Sequence, residues 1–420
     1  MRRIKMITAI CSLFIAANAL ASEGIVDKVT SGGVDTDKRM APLNNFRKEL
    51  GGGKFDEGKK VIQTQDGGYL VAGRSVGSTG QTDVSLWKLS TSGDLQWDYK
   101  FGESETEEVG DLIELEDGSI IVMGSSDSYG GGVDMKDMWL LKVSASGQQQ
   151  WVQSYGTDTT IDEGNAVVVA DDGGFVLLGR SFDITKENPK SNVMIVKTDD
   201  KGMIQWEKKY GGDQNDEGVG ILKTEGGYVL ASNTESYSKG KWDVMLMGID
   251  LEGNKVWEKS FGGGDTDKAN DIIQTADGGF LVAGYSYTFA EASLDAWVIR
   301  TDAQGEQQWH KSFGGLSTDE AHAVIKTSDD QYVLAGYTEE WKPDEYGDNT
   351  SLNGLNIYMV KFNDSGNKAW ERSFGGLGDQ RAFDLVESKD KGIVVVGSSK
   401  SGEKNEYSIL VMKVGENGLQ

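Results

Sequence analysis

The chain has 420 residues, with 67 acidic against 42 basic side chains and a net charge of −25 near neutral pH. So negative a balance argues against nucleic acid, heparin-like polyanions and anionic lipid as partners. It suits divalent cations, neutral or cationic ligands, or simple solubility, and 57 glycines against 3 prolines speak for many tight turns and few rigid linkers.

The chain opens with Arg2, Arg3 and Lys5, an apolar run from Met6 to Ala17, and then Ala19-Leu20-Ala21. This is the pattern of a secretory signal peptide over residues 1–21, and removing it makes the net charge three units more negative. No later stretch is long and apolar enough for a spanning helix, so an exported, soluble protein without membrane insertion is expected, periplasmic or extracellular. Cys11 is the one cysteine and falls in the leader, so the mature chain is expected to hold by its core without disulfides. Residues 22–43 are polar and aperiodic and read as a flexible arm.

Next comes Asn45-Phe46-Arg47-Lys48-Glu49-Leu50-Gly51-Gly52, which reads as the fourth strand of a repeat lacking its first three. The full repeats follow, and residues 261–315 show one clearly. DIIQT is a strand, ADGG a tight turn, FLVAGYS a second strand, DAWVIRT a third, and EQQWHKSF a fourth after the turn DAQG. The first turn recurs at Asp66, Asp117, Asp172, Glu225, Asp277, Asp329 and Asp390. The fourth strand carries Trp97, Trp151, Trp206, Trp257, Trp309 and Trp370, each followed four residues later by Phe or Tyr and then Gly. The seventh unit stops at Gly418-Leu419-Gln420, where its fourth strand is due, and Phe46 and Leu50 fill the Trp and aromatic places of the missing piece.

The fold class that follows is all-β: a seven-bladed β-propeller of four-stranded antiparallel blades over residues 44–420, its ring closed by the N-terminal strand. Closure leaves no sheet edge open, and a monomer is expected. The tryptophans read as buried wedges between blades.

The turn before each Trp starts at Ser90, Ser144, Asp199, Asp250, Asp302 or Asn363 and reaches Gly three residues later. With blades of the form DGGFLVAGYS, the chain resembles the seven-bladed propeller repeats of bacterial exported and cell-surface proteins over residues 44–420, and more distantly the tryptophan-docking repeats of quinoprotein-type propellers. The resemblance implies the fold. A quinone cofactor is not expected, because the adjacent cysteines common in such dehydrogenases are missing, and His310 and His322 read as ordinary strand residues rather than members of a hydrolytic triad.

Two rings remain as candidates. Five residues before the first-strand apolar positions stand Asp56, Glu107, Asp162, Asp216, Asp267 and Asp319, with Gln380 in the seventh unit. They could gather Ca²⁺, which takes several oxygen ligands, or could each cap a neighbouring loop, and no copy has the D-x-D-x-D-G spacing of a calcium loop. Just past each second strand stand Arg74, Ser125, Arg180, Asn233, Tyr285, Tyr337 and Ser398. These differ from blade to blade, and a position that varies inside a strict repeat is where a ligand site can be built. The insertion from Glu339 to Asn356 adds Trp341, Tyr346, Asp344, Glu345 and Asp348, aromatics beside carboxylates able to stack on sugars or grip a peptide.

The function expected is a non-enzymatic exported binding module or scaffold that recognises a glycan, peptide or envelope protein through its loop face, with Arg74, Arg180, Asn233, Tyr285, Tyr337, Trp341 and Tyr346 as ligand contacts. The alternative is a carbohydrate-active enzyme, a polysaccharide lyase or glycoside hydrolase. It would use carboxylates such as Asp267 and Asp319 with Tyr285, Tyr337 and Arg180.

Overall fold

The computed structural model describes residues 45–420 apart from residues 53–54, 77–79, 104, 130–134, 292, 344–348, 376–377 and 401–405, and no side chain is described in 340–353. The signal peptide and arm expected at residues 1–43, Tyr346, and the side chain of Trp341 therefore lie outside the described residues.

The alternating apolar runs form seven four-stranded antiparallel sheets, the blades of an all-β propeller. The seven first strands are Asp56–Gln63, Glu107–Glu114, Thr160–Val169, Asp216–Thr224, Asp267–Gln274, Asp319–Lys326 and Gln380–Glu387. They pack against one another from blade to blade around the axis. The turn Thr275-Ala276-Asp277-Gly278 shows how each first hairpin closes: Gly278 N donates to Thr275 O, and Asp277 accepts from the Gly279 amide and the Thr275 hydroxyl.

The last blade takes its fourth strand from the other end of the chain. Phe46–Leu50 pairs antiparallel with Tyr407–Val414, from Phe46 opposite Lys413 to Leu50 opposite Ile409. Phe46 then packs against Tyr69 of the first blade at a ring separation of 6.0 Å.

Three details differ from the sequence reading. First strands begin at the carboxylate position, five residues before the apolar run, or at Thr160 in the third blade, because each one bulges and continues upstream; in the fifth blade the register shifts between Ala269 and Asp271. The sixth-blade insertion is largely strand, Tyr332–Pro343 against Asn349–Phe362, with Trp341 opposite Ser351. The fourth-strand tryptophans are half-buried rather than core; the deeply buried ones are Trp87, Trp139 and Trp297 of third strands.

The half-buried set still joins blade to blade, through the repeat's other fixed residue. A Cβ on Gly305, where φ is 77°, would meet the Trp257 ring of the preceding blade at 2.5 Å. Gly366 and Gly418 sit likewise over Trp309 and Trp370, and Gly93 over Phe46, so the orphan strand repeats the same contact at the ring closure. On the same face, opposite the fourth-strand aromatic, a buried third-strand cation reaches the first-turn aspartate in several blades, as in Lys88 with Asp66 at 2.8 Å, Arg300 with Asp277 at 2.8 Å and Lys413 with Asp390 at 2.7 Å.

Candidate functional site

The first-strand bulge builds the site. It lies at the fourth residue of the repeat position that starts with Asp56, between Gly58 and Lys60, and recurs between Val109 and Asp111, Gly164 and Ala166, Gly218 and Gly220, Ala269 and Asp271, Ala321 and Ala323, and Ala382 and Asp384. A bulge leaves one residue unpaired and re-aims its neighbours. Lys59, Gly110, Asn165, Val219, Asn270, His322 and Phe383 are the unpaired residues, and they line a cavity of about 400 Å³ together with Glu163, Arg180, Glu217 and Asn233.

Two members of the mixed second-strand ring, Arg180 and Asn233, line this cavity, and register sets the ring beside the first strands. Arg74 lies opposite Glu57, Arg180 opposite Glu163, Asn233 opposite Glu217, Tyr285 opposite Lys268, Tyr337 opposite Glu320 and Ser398 opposite Arg381. Cross-strand partners share a face, so each varied residue meets a first-strand residue that is Glu in five blades and Lys268 or Arg381 in the others.

The contacts run around the ring across blade boundaries. Arg74 Nε and Lys59 Nζ sit 2.9 and 3.0 Å from Glu57 Oε2. Arg180 donates to Glu163 at 2.7 Å and, in the next blade, to Glu217 at 2.9 Å. Glu217 also accepts from Lys268 at 2.9 Å and from Asn233 at 3.2 Å. Burial works to raise the Glu217 carboxyl, yet Lys268, Asn233 and Arg180 outweigh it and hold the group below the usual carboxylate range. Glu320 accepts from the Tyr337 hydroxyl at 2.5 Å and from Asn270 at 3.1 Å. Burial, with Glu320 and Tyr287 adding to it, pushes the Tyr285 phenol up to about 12. Arg381 lies over the Tyr337 ring and Lys59 over that of Phe383.

His322 joins this cavity, which the sequence reading did not expect. Its ring lies against Tyr337 and Phe383 at centroid distances of 5.6 and 5.1 Å, and burial lowers its pKa. His310 is elsewhere, accepting from the Trp297 indole at 3.0 Å and packed on Phe289.

Deeper along the first strands, the residue after each bulge is Lys60, Asp111, Asp271 or Asp384 in four of the blades. The aspartates each accept the amide of the next blade's first strand: Asp111 from Val167 at 3.0 Å, Asp271 from Val324 at 2.8 Å and Asp384 from Val61 at 2.8 Å. Burial raises the Asp384 carboxyl to about 6, against the pull of Lys60.

The other candidate ring faces away from the cavity. Asp267 precedes Lys268, and neighbouring residues of a strand point to opposite faces. Asp267 is buried and accepts from Gly263 N at 2.8 Å, Thr288 Oγ1 at 2.8 Å and the Ser286 hydroxyl. Asp56, Asp216 and Asp319 likewise accept Gly52 N, Gly212 N and Gly315 N, all near 2.9 to 3.0 Å. Glu107 and Asp162 accept Ser126 and Thr160 hydroxyls. Among the described residues no three or more His, Cys, Asp or Glu side chains are grouped so as to hold a metal ion. The enzyme alternative needs Asp267 or Asp319 beside Tyr285, Tyr337 or Arg180, and the strand pleat sets the two groups on opposite sides of the first strands.

The residues the sequence reading missed are Glu57, Glu163, Glu217, Lys268, Glu320 and Arg381. Glu recurs at this position in five blades, so variation inside the repeat marks only Lys268 and Arg381.

No family model matches the chain. It is 28% identical over 182 residues to the regulatory protein FlaEY of Caulobacter vibrioides, an overlap of 39% of this chain and 19% of that protein. The chain thus spans about a fifth of the curated relative's length. Among solved structures it is similar to the Pan2 WD40 domain of Neurospora crassa, with a TM-score of 0.51, 11% identity, and coverage of 86% of this chain and 91% of that one. It is also similar to the periplasmic gluconolactonase PpgL of Pseudomonas aeruginosa, with a TM-score of 0.50, 10% identity, and coverage of 86% and 97%. At such identities the likeness establishes the propeller, a fold shared by binding domains and enzymes.

Proposed function

We propose that the chain is an exported, non-enzymatic binding propeller whose central cavity recognises a glycan. The observation that carries this reading is the register of a varied second-strand ring, Arg74, Arg180, Asn233, Tyr285 and Tyr337, against a first-strand ring that is mostly Glu, with Arg180, Asn233, Glu163 and Glu217 lining the central cavity.

The chemistry favours a neutral polyhydroxylated ligand. Lys59, Arg74, Arg180 and Lys268 are each paired with a carboxylate at hydrogen-bond distance, which tempers the field of one sign that meets the ligand. A sugar hydroxyl both donates and accepts, and an Arg180 fork beside Glu217 offers it both functions at once. Tyr285 supplies flat apolar surface for a ring. General acid catalysis at neutral pH asks for a carboxyl raised toward 7, whereas Glu217 is held down by its cations, which favours holding a ligand over protonating one.

The test is calorimetric titration of the mature chain with oligosaccharides drawn from bacterial envelope and extracellular polysaccharides. A binder found this way is expected to lose at least tenfold in affinity on Tyr285→Ala, while the thermal midpoint stays within about 1 °C, as for other partly exposed substitutions. Equal affinity for the variant, or binding confined to peptides, would overturn the glycan reading.

A further inference from the structure

The seams between blades hold a feature that neither the cavity nor the loop caps explain. At the seam of the fifth and sixth blades a point one Cβ away from Gly314 lies 2.5 Å from Asp319 Oδ2 and 3.0 Å from Asp295 Oδ1, so the two carboxylates are no more than 5.5 Å apart. At the seam of the fourth and fifth blades the same point on Gly262 lies 2.3 Å from Asp243 Oδ1, and Asp267 Oδ2 accepts the next amide, Gly263 N, at 2.8 Å. Asp243, Asp267, Asp295 and Asp319 are exposed by 0, 0, 1 and 3%.

One oxygen in each pair has no partner. Asp243 Oδ2 accepts Lys239 N and Asp295 Oδ2 accepts Glu291 N, but Asp243 Oδ1 and Asp295 Oδ1 are buried without a hydrogen bond among the described residues, and both face the glycine where the second carboxylate converges. Two like charges taken out of water this close are costly unless a cation or a proton lies between them. Burial raises the pKa of Asp243, Asp295 and Asp319, which expresses the same unmet demand. At the seam of the sixth and seventh blades the equivalent places are held by Asn356 and Gln380, so the scaffold accommodates an uncharged pair there.

We propose that the Asp243/Asp267 and Asp295/Asp319 seams each bind one hard divalent cation of the calcium type, with the unpartnered Oδ1 atoms as primary ligands. Calcium tolerates irregular shells completed by backbone carbonyls, hydroxyls and water, and two carboxylates per site place its affinity in the weak range of extracellular modules. Acid pairs also converge at Gly102, from Asp83 and Glu107, and at Gly156, from Asp137 and Asp162, so those seams can add further ions.

The experiment is equilibrium dialysis and calorimetry of the EDTA-stripped full mature chain with calcium chloride at pH 7.5, alongside Asp243→Asn and Asp295→Asn. The expected result is saturable uptake of at least two calcium ions and a rise in the thermal midpoint of the wild type. Each variant should lose one ion, and in EDTA should melt no lower than the wild type, because the amide removes the like-charge pair. Absence of uptake up to about 5 mM calcium, above the range of weak modules, would overturn the proposal. So would a stripped wild type whose uptake is unchanged by either substitution. Saturable wild-type uptake of at least two ions, or its absence, decides the matter even if a variant fails to fold.

Discussion

Replacing Phe46 by Ala tests how the ring is closed. Phe46 is half-buried, stacked near Tyr69 and seated under Gly93, where a Cβ would meet its ring at 2.7 Å. Truncation returns roughly 100 Å² of apolar surface to water, about half of what a large aromatic buries, which is worth about 2.5 kcal/mol at 25 cal/mol per Å². A propeller of this size has an unfolding entropy of roughly 0.8 kcal/mol/K, so the midpoint should fall by about 3 °C. The assay is differential scanning calorimetry of Phe46→Ala beside Trp309→Ala, which empties the equivalent place at an internal blade boundary. Both are expected to fall together, and deletion of residues 44–53 to fall much further. A Phe46→Ala midpoint within 1 °C of wild type, with Trp309→Ala clearly lowered, would refute the reasoning that the terminal strand closes the ring by the same contact as every other blade.

Gly305→Ala should cost about 1–3 kcal/mol, because φ is 77° and the new methyl would meet Trp257 at 2.5 Å; urea denaturation checks this, and a change under 0.5 kcal/mol would contradict it. Asp384→Asn should change the pH dependence of stability. The folded carboxyl sits at about 6, above its unfolded value near 4, so the folded state binds the extra proton and this group's contribution falls as pH rises from about 4 to 6. The variant, which cannot titrate there, should therefore gain on the wild type by up to about 3 kcal/mol between pH 4 and pH 7, and parallel pH profiles of the two would refute the assignment. Arg180→Ala should weaken ligand binding and also raise the Glu217 carboxyl, since Arg180 is one of the groups holding it down; the acid limb of stability should then move to higher pH, and an unmoved limb would show that Lys268 and Asn233 suffice.

Much of the propeller could be read from residues whose duty is local. The turns at Asp66 to Asp390, the glycine four residues before each fourth-strand Trp, and the pairing of Phe46–Leu50 with the chain end all follow from short-range spacing. Variation against a fixed background marks Arg180 and Asn233 without any knowledge of contacts, and both line the cavity. Three things were hidden. The bulge interrupts the period of two, so residues upstream of DIIQT look like loop and the first-strand partners Glu217 and Lys268 escape notice. The depth of the tryptophans depends on how far the outermost strand stands from the axis, a property of the closed ring rather than of any one repeat. The seam pairs, Asp243 with Asp267 and Asp295 with Asp319, join different strands of different blades some twenty-four residues apart, and only the ring geometry makes them neighbours.

The central claim is that the cavity holds its ligand without transforming it. The most direct measurement is mass spectrometry of the bound oligosaccharide recovered after prolonged incubation with excess protein, wild type and Glu217→Gln in parallel. The account predicts that the oligosaccharide returns intact from the wild type and that Glu217→Gln weakens its retention. Cleaved or unsaturated products from the wild type that vanish with Glu217→Gln would contradict it and make the cavity an active site.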